Sequence, residues 1–261
     1  MIKVLFFFNI DHMGYVFNFN DARAYDQWAS KTRNRMTAGL EHRLMLDMLK
    51  PIRGESILDI GCGTGASAMP FVDMGLQVTA IDPSPYMLDI AFRHFGNRME
   101  FYRGFAEDLP FDDNSFNHAS IVTTLEFVDD PRKAIEEACR VAKDRIFIGV
   151  LNRYAIKSIE LRLKGIFSHT IYNRARFYSV WELKHVMREL LGSHVPISWR
   201  TVSQFPETTG KVMVGFENSR IVQRFPFGAF AGIVATLVPR FRTKPMTLRY
   251  IPKHTTGAVV G

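Results

Sequence analysis

The chain has 261 residues, of which 47% are hydrophobic and 23% charged, enough for one large α/β domain or a domain with an elaborated end. Its two cysteines, Cys62 and Cys139, exclude a disulfide framework and a thiolate zinc site and predict a reducing, cytoplasmic compartment with no bound metal. Residues 1–150 carry 16 Lys and Arg against 21 Asp and Glu, a net −5, whereas residues 151–261 carry 17 against 5, a net +12. That split points the second half at something anionic: a phosphorylated or carboxylated small molecule, an acidic membrane surface, or RNA. The commoner meaning of such a split is a solvated basic face with no partner.

Met1 to Ile10 is apolar, too short to span a bilayer, and lacks the small-residue cleavage site of a secretory signal. It reads as an extra strand, a tail packed on the domain, or sequence upstream of a start at Met13. Asp11 to Asn20 reads as irregular. Asp21 is the predicted N-cap of a helix from Ala22, with Tyr25 and Trp28 on one face. Leu40, Leu44, Met45, Met48 and Leu49 have helical spacing, and Pro51 and Gly54 end that helix.

The stretch Ser56 to Asp82, SILDIGCGTGASAMPFVDMGLQVTAID, holds the chemistry. A strand over Ile57–Ile60 contains one acid, Asp59. Three glycines, Gly61, Gly63 and Gly65, surround Cys62 and open a helix over Ala66–Met74. A second strand, Gln77–Ile81, ends in Asp82. This is half of a dinucleotide-type βαβ unit. Glycines let a ligand lie against the backbone, the helix start offers unpaired N–H groups, and Asp82 can accept from both hydroxyls of a ribose. Gly61, Gly63 and Ala66 also satisfy the nicotinamide-cofactor pattern. Asp59 tells against it: a pyrophosphate loop does not normally place a carboxylate before its first glycine. The ammonium and sulfonium of S-adenosylmethionine (SAM) would benefit from one.

Ser84 is a predicted helix cap following Pro83. A third strand is expected over Met99–Arg103 and a fourth over His118–Thr123. Strand ends at the switch point of a doubly wound sheet line the ligand crevice, which puts Thr123, Thr124 and Glu126 there. Glu126 is a candidate base or acceptor-orienting acid, weighed against simple capping of the next turn, whereas His118 is at the wrong end of its strand. A helix over Arg132–Ala142 leads to a fifth strand, Arg145–Val150. Asn152 to Arg176 is basic and breaks the α/β alternation. A helix over Phe177–Leu191 follows, with Ser179 and Glu182 as a capping box and Gly192 as its stop. Strands are expected over Val195–Val202, Lys211–Phe216 and the very apolar Phe225–Val238. The tail from Pro239 is basic and reads as mobile.

Four segments resemble, in order, the motifs of the class I SAM-dependent methyltransferases, in the group called type 11. They are LDIGCGTG, AIDPSPYML, AEDLPFDDNSF and TTLEFVDDP. The resemblance covers about Tyr25 to Val150. It implies a Rossmann-like, mostly parallel sheet of seven strands with helices on both faces and the last strand antiparallel. It implies SAM as cofactor, held by Asp59, Gly61, Cys62, Gly63, Gly65, Asp82, Pro83, Met87, Ala106, Glu107, Thr123 and Thr124, with Tyr25 in a lid. One position departs from the family: Phe105 stands where an aspartate often accepts from the adenine amino group, so that contact is lost, moved to Glu107 or Asp108, or replaced by stacking. The implied organisation is a lid with helices (1–54), a cofactor core (55–151), a substrate cap (152–176) and the rest of the same domain (177–261). The expected activity is methylation of a small-molecule or lipid-like acceptor, anionic in one version. Peripheral membrane contact is compatible with it. An RNA methyltransferase, a non-catalytic SAM-binding protein and a nucleotide-binding oxidoreductase are the alternatives.

Overall fold

A computed structural model describes residues 14–155, 175–203 and 219–237. Expectations for Met1–Ile10, most of the basic stretch after Ala155, residues 204–216 and the tail lie outside the described residues. Helices α1 (Phe19–Ser30) and α2 (Thr32–Leu49) precede β1 (Ser56–Ile60). Then come α3 (Met69–Met74), β2 (Gln77–Asp82), α4 (Pro85–Phe95), β3 (Glu100–Arg103), β4 (Phe116–Val122), α5 (Pro131–Val141), β5 (Ala142–Leu151), α6 (Val180–Leu191), β6 (Ile197–Val202) and β7 (Phe230–Thr236).

The strands form one seven-stranded sheet in the order β3-β2-β1-β4-β5-β7-β6. β1 to β5 pair in parallel, and β7 runs antiparallel to both β5 and β6. The strands are apolar on both faces because helices cover both. Leu58, Ile121, Ile148 and Ile233 pack with α5 and α6. Ile57, Val78, Phe147 and Phe230 pack with α2, α3 and α4 on the other side. In the β5–β7 pair Gly149 lies opposite Gly232. A Cβ on Gly149 would meet the Phe230 ring at 2.3 Å, and one on Gly232 would meet Phe147 at 2.9 Å and Leu44 of α2 at 3.1 Å. The two glycines thus house two phenylalanine rings under α2. Each fully buried ring contributes about 2–3 kcal/mol.

Several element boundaries differ from those expected. α1 starts at Phe19, and its N-cap is Asn18, whose side chain accepts from the N–H groups of Asn20 and Asp21. Asp21 instead accepts from Asn18 N, completing a capping box from the N3 position. α3 is short because residues 66–68 are spent leaving the glycine turn. Phe225 to Gly228 is not strand but a loop. Asn152 Nδ2 donates to Pro226 O and Gly228 O, and Thr201 Oγ1 donates to Phe225 O.

Candidate functional site

The chain order reverses at β1: β2 lies on one side of it and β4 on the other, which places the crevice at their carboxyl ends. The glycine turn leaves β1 there, and the N–H groups of Gly61 and Cys62 donate to Ile81 O at 2.8 and 3.1 Å, fastening it to β2. Gly61, Gly63 and Gly65 all have positive φ, +69°, +53° and +86°. Their surroundings differ. A Cβ on Gly61 would lie 2.2 Å from Thr124, and one on Gly65 would lie 2.6 Å from the Phe95 ring. Above Gly63 the first atom is Met87 Sδ, 4.0 Å away. The turn is therefore packed at both ends and open in the middle, towards Met87.

Asp82 ends β2 and is buried. Its Oδ2 accepts from Gly63 N and its Oδ1 from Ser84 N, both at 2.9 Å. Each oxygen keeps a further lone pair. Burial pushes this carboxyl up to about 6, against the pull of the two N–H groups. Asp59 lies inside β1, deeper than its position before the glycines suggests. Ser120 Oγ donates to one of its oxygens at 2.8 Å and Ser67 Oγ to the other at 2.7 Å. Burial raises it to about 6 as well; the two hydroxyls oppose that shift and Asp82 adds to it. Burial, then Asp82 and Asp59, push the Cys62 thiol well up, so it is no nucleophile at neutral pH.

A strap crosses this turn. Tyr15 N donates to Phe127 O, just beyond β4, at 2.8 Å. Ser84 Oγ, just beyond β2, donates to Phe17 O at 2.6 Å. Gly14 passes so close that a Cβ would lie 2.9 Å from Phe127 O. The rings of Tyr15, Phe17, Tyr25 and Phe127 meet at centroid distances of 5.2 to 6.4 Å. Phe17 and Tyr25 pack on Ala22, Met87 and Ile90. Tyr25, predicted in a lid, is thus beside Met87, on the open side of the turn.

The loop after β3 is held from below. Arg140 of α5 donates to Leu109 O and Phe111 O and pairs with Asp113 and Glu137. Glu107 Oε1 accepts from Asp129 N at 3.0 Å, clamping this loop to the start of α5. Ala106 is buried and Phe105 exposed. Pro83 O accepts from Arg103 Nε at 3.2 Å.

Thr123 sits at φ +48°, a conformation that strains a β-branched residue, while its N–H donates to Gly149 O at 2.8 Å. Thr124 Oγ1 lies 3.1–3.2 Å from the carbonyls of Ile60, Gly61 and Val122. Glu126 is buried at the joint carboxyl ends of β4 and β5. Its Oε1 accepts from Leu151 N at 2.7 Å, and its Oε2 has no partner. Burial pushes this carboxyl up to about 8; the Leu151 N–H opposes the shift and Glu41 of α2 adds to it. The Tyr178 hydroxyl donates to Leu125 O beside it at 3.0 Å. His118, at the opposite end of β4, has Nε2 2.8 Å from Glu55 and takes no part.

Three participants are missing from the expected site. Ser120 had a signal: it is a polar residue within the apolar run of β4, in register with Asp59. Ser67 and the strap had none, because only the fold brings them to the turn.

A buried acid after β2, an open glycine turn and a reversed strand order together define a Rossmann-like domain of the SAM-dependent methyltransferase class. The methyltransferase domain family matches residues 58–147. A demethylmenaquinone methyltransferase of Renibacterium salmoninarum is 41% identical over 101 residues, 39% of this chain and 42% of that protein. The chain thus spans about two fifths of the length of such relatives. An uncharacterized protein of Methanocaldococcus jannaschii is 34% identical over 175 residues, covering 65% of this chain and 77% of the relative. The crystal structure of a SAM-dependent methyltransferase of Thermotoga maritima, described as a possible histamine N-methyltransferase, superposes with a TM-score of 0.64 at 26% identity, over 83% of this chain and 96% of that one. Residues 58–147 thus belong to the methyltransferase domain family, on the Rossmann-like fold of the class I SAM-dependent methyltransferases.

Proposed function

We propose that this protein transfers the methyl group of SAM to a small-molecule or lipid-like acceptor in a reducing, cytoplasmic compartment. One observation carries the reading: Asp82 grips the glycine turn at Gly63, where the backbone is bare, and keeps acceptor capacity for a ribose. The residues present fit the cofactor. Asp82 would take the ribose hydroxyls, Gly63 would allow close approach, and Met87, Pro83 and Ala106 would border the adenine. Gly61, Cys62, Gly65 and Thr124 would fix the shape of the turn. Glu107 would act by holding the loop that carries Ala106. Asp59, fixed by two serines, would lend negative potential to the cationic end. Tyr25 and the strap would exclude water. When bound, SAM supplies an electrophilic methyl group, so the protein's share is alignment and a dry cleft.

Glu126 belongs to the acceptor side, one strand further along the sheet. With its carboxyl raised to about 8, it is protonated at neutral pH and would donate a hydrogen bond to an acceptor oxygen or nitrogen rather than remove a proton. The demethylmenaquinone methyltransferases among the relatives favour an acceptor of lipid-like character, and residues 152–176 would form its cap.

Calorimetry with S-adenosylhomocysteine tests the reading. Micromolar binding is expected. Asp82→Ala should weaken it at least about tenfold, because hydrogen bonds to a charged acceptor contribute about 1.5–3 kcal/mol each. No binding by the native protein, or unchanged affinity in the variant, removes the proposal.

A further inference from the structure

An exposed apolar patch lies on the β5–β7–β6 side of the sheet, away from the cofactor turn. Ile221, Phe225 and Phe227 are each more than half exposed on the loop that leads into β7. Asn152, the residue after β5, holds that loop through Pro226 O and Gly228 O. Two residues on, Tyr154 begins an aromatic row. Its ring lies 5.7 Å from Trp181, which lies 6.4 Å from Trp199 of β6. Trp181 is more than half exposed and Tyr154 nearly so. Groups of exposed large apolar side chains of this kind mark interaction surfaces.

Cationic groups flank the patch on both sides of the sheet. Arg153 and Arg176 share one acid, Glu182. Arg200 and Arg220 share another, Asp47. One carboxylate for two guanidinium groups leaves a positive charge at each place, and Arg224 is exposed between Ile221 and Phe225. The surrounding sequence, residues 151–261, has a net +12. Phenylalanine and isoleucine with tryptophan, tyrosine and arginine around them match an interfacial surface: the apolar groups enter the acyl boundary, the amphipathic rings sit at headgroup level, and the arginines meet lipid phosphates. A single-stranded RNA would also accept stacking on the rings, but it gives Ile221 no counterpart. Among the described residues no helix is long and apolar enough to cross a membrane.

We propose that this face docks the protein on anionic lipid bilayers, with Phe225 and Phe227 inserted and the arginines on the headgroups. The surface stands apart from the cofactor site. Its use, presenting the acceptor end of the cleft to a substrate dissolved in the bilayer, rests on the methyl-transfer reading.

The test is flotation of the full chain with vesicles of phosphatidylcholine alone and of equimolar phosphatidylcholine and phosphatidylglycerol, at low and high salt. Binding to the anionic vesicles, weakened by salt and at least about tenfold stronger than to neutral ones, is expected. The double variant Phe225→Ser, Phe227→Ser should lose most of it while keeping S-adenosylhomocysteine affinity. Brominated lipid should quench tryptophan emission of the native protein, a readout that needs no variant. No vesicle binding, equal binding to both vesicle types, or no quenching overturns the proposal. So does retention of an oligouridine RNA without vesicle binding, or a dimer in sedimentation velocity that the double variant dissociates. Native protein that binds S-adenosylhomocysteine but no vesicle sinks only this surface; native protein that binds vesicles but no S-adenosylhomocysteine sinks only the cofactor reading.

Discussion

Burial disfavours the charged forms of Asp82, Asp59 and Glu126 and pushes the first two carboxyls up to about 6 and the third up to about 8. A ribose prefers an ionised Asp82, so S-adenosylhomocysteine affinity should fall as pH drops through about 6, read by calorimetry from pH 7.5 down to 5. For stability the sign is opposite. Each of these acids holds its proton more tightly in the folded chain than in the unfolded one, so each contribution is whole below the ordinary carboxylate range and is lost as pH rises through the raised value. For Glu126 the window runs from about 4.5 to about 8. Glu126→Gln removes that dependence. Urea midpoints of the variant should gain on those of the native protein across this window and level off above it. Parallel curves would mean that Glu126 titrates normally. The glycines give a second test at this scale. Gly61→Ala drives a Cβ into Thr124 and should lower thermal stability most. Gly63→Ala carries the backbone strain, about 1–2 kcal/mol, but points its methyl into open space. Its larger loss should be in S-adenosylhomocysteine affinity.

Among the elements, the strap over residues 14–18 and the start of α4 share one hydroxyl. Ser84 Oγ accepts from Met87 N at 3.2 Å as the helix cap and donates to Phe17 O. Ser84→Ala should cost about 1–2 kcal/mol as a lost N-cap and also release the strap. Amide exchange should then accelerate near residues 15–18 as well as at the helix start. Acceleration confined to α4 would show that the strap holds without it. The helix starts at α4 and α6 were marked by Ser84 and Ser179, which cap where the sequence places them, although α6 begins at Val180 and not at Phe177. The start of α1 was misplaced by three residues, since Asn18 and Asp21 are both good caps and only the reciprocal bond between them decides. The strap was illegible for a different reason: its partners, Ser84 and Phe127, are distant in sequence and carry no periodic pattern.

At the scale of the whole molecule, the parallel half of the sheet was readable because β1, β2 and β4 are apolar runs, each followed by a turn and a helix, whereas β3 is four residues long and runs into β4 through a loop. The candidate crevice was readable where it follows strand ends, as at Asp82 and Thr123. It was not readable where two strands must be set in register, as for Asp59 with Ser120. Cofactor capture should stabilise the whole fold. At a concentration about a hundredfold above its dissociation constant, S-adenosylhomocysteine should add about 2.7 kcal/mol, seen as a rise in melting temperature. Asp82→Ala should show a much smaller rise at the same concentration.

The position of β7 bears on how the protein is made. Among the described residues β6 pairs only with β7, and β5 meets β7 on its outer edge. During synthesis five strands can zip up in sequence, but the fifth keeps a bare hydrogen-bonding edge and the sixth has nowhere to dock. Both wait until Phe230 to Thr236 clears the ribosome and slides between them. A nascent chain stalled before that point would present an open edge and the uncovered Phe147 pocket. Ribosome-associated chaperones should hold it longest there.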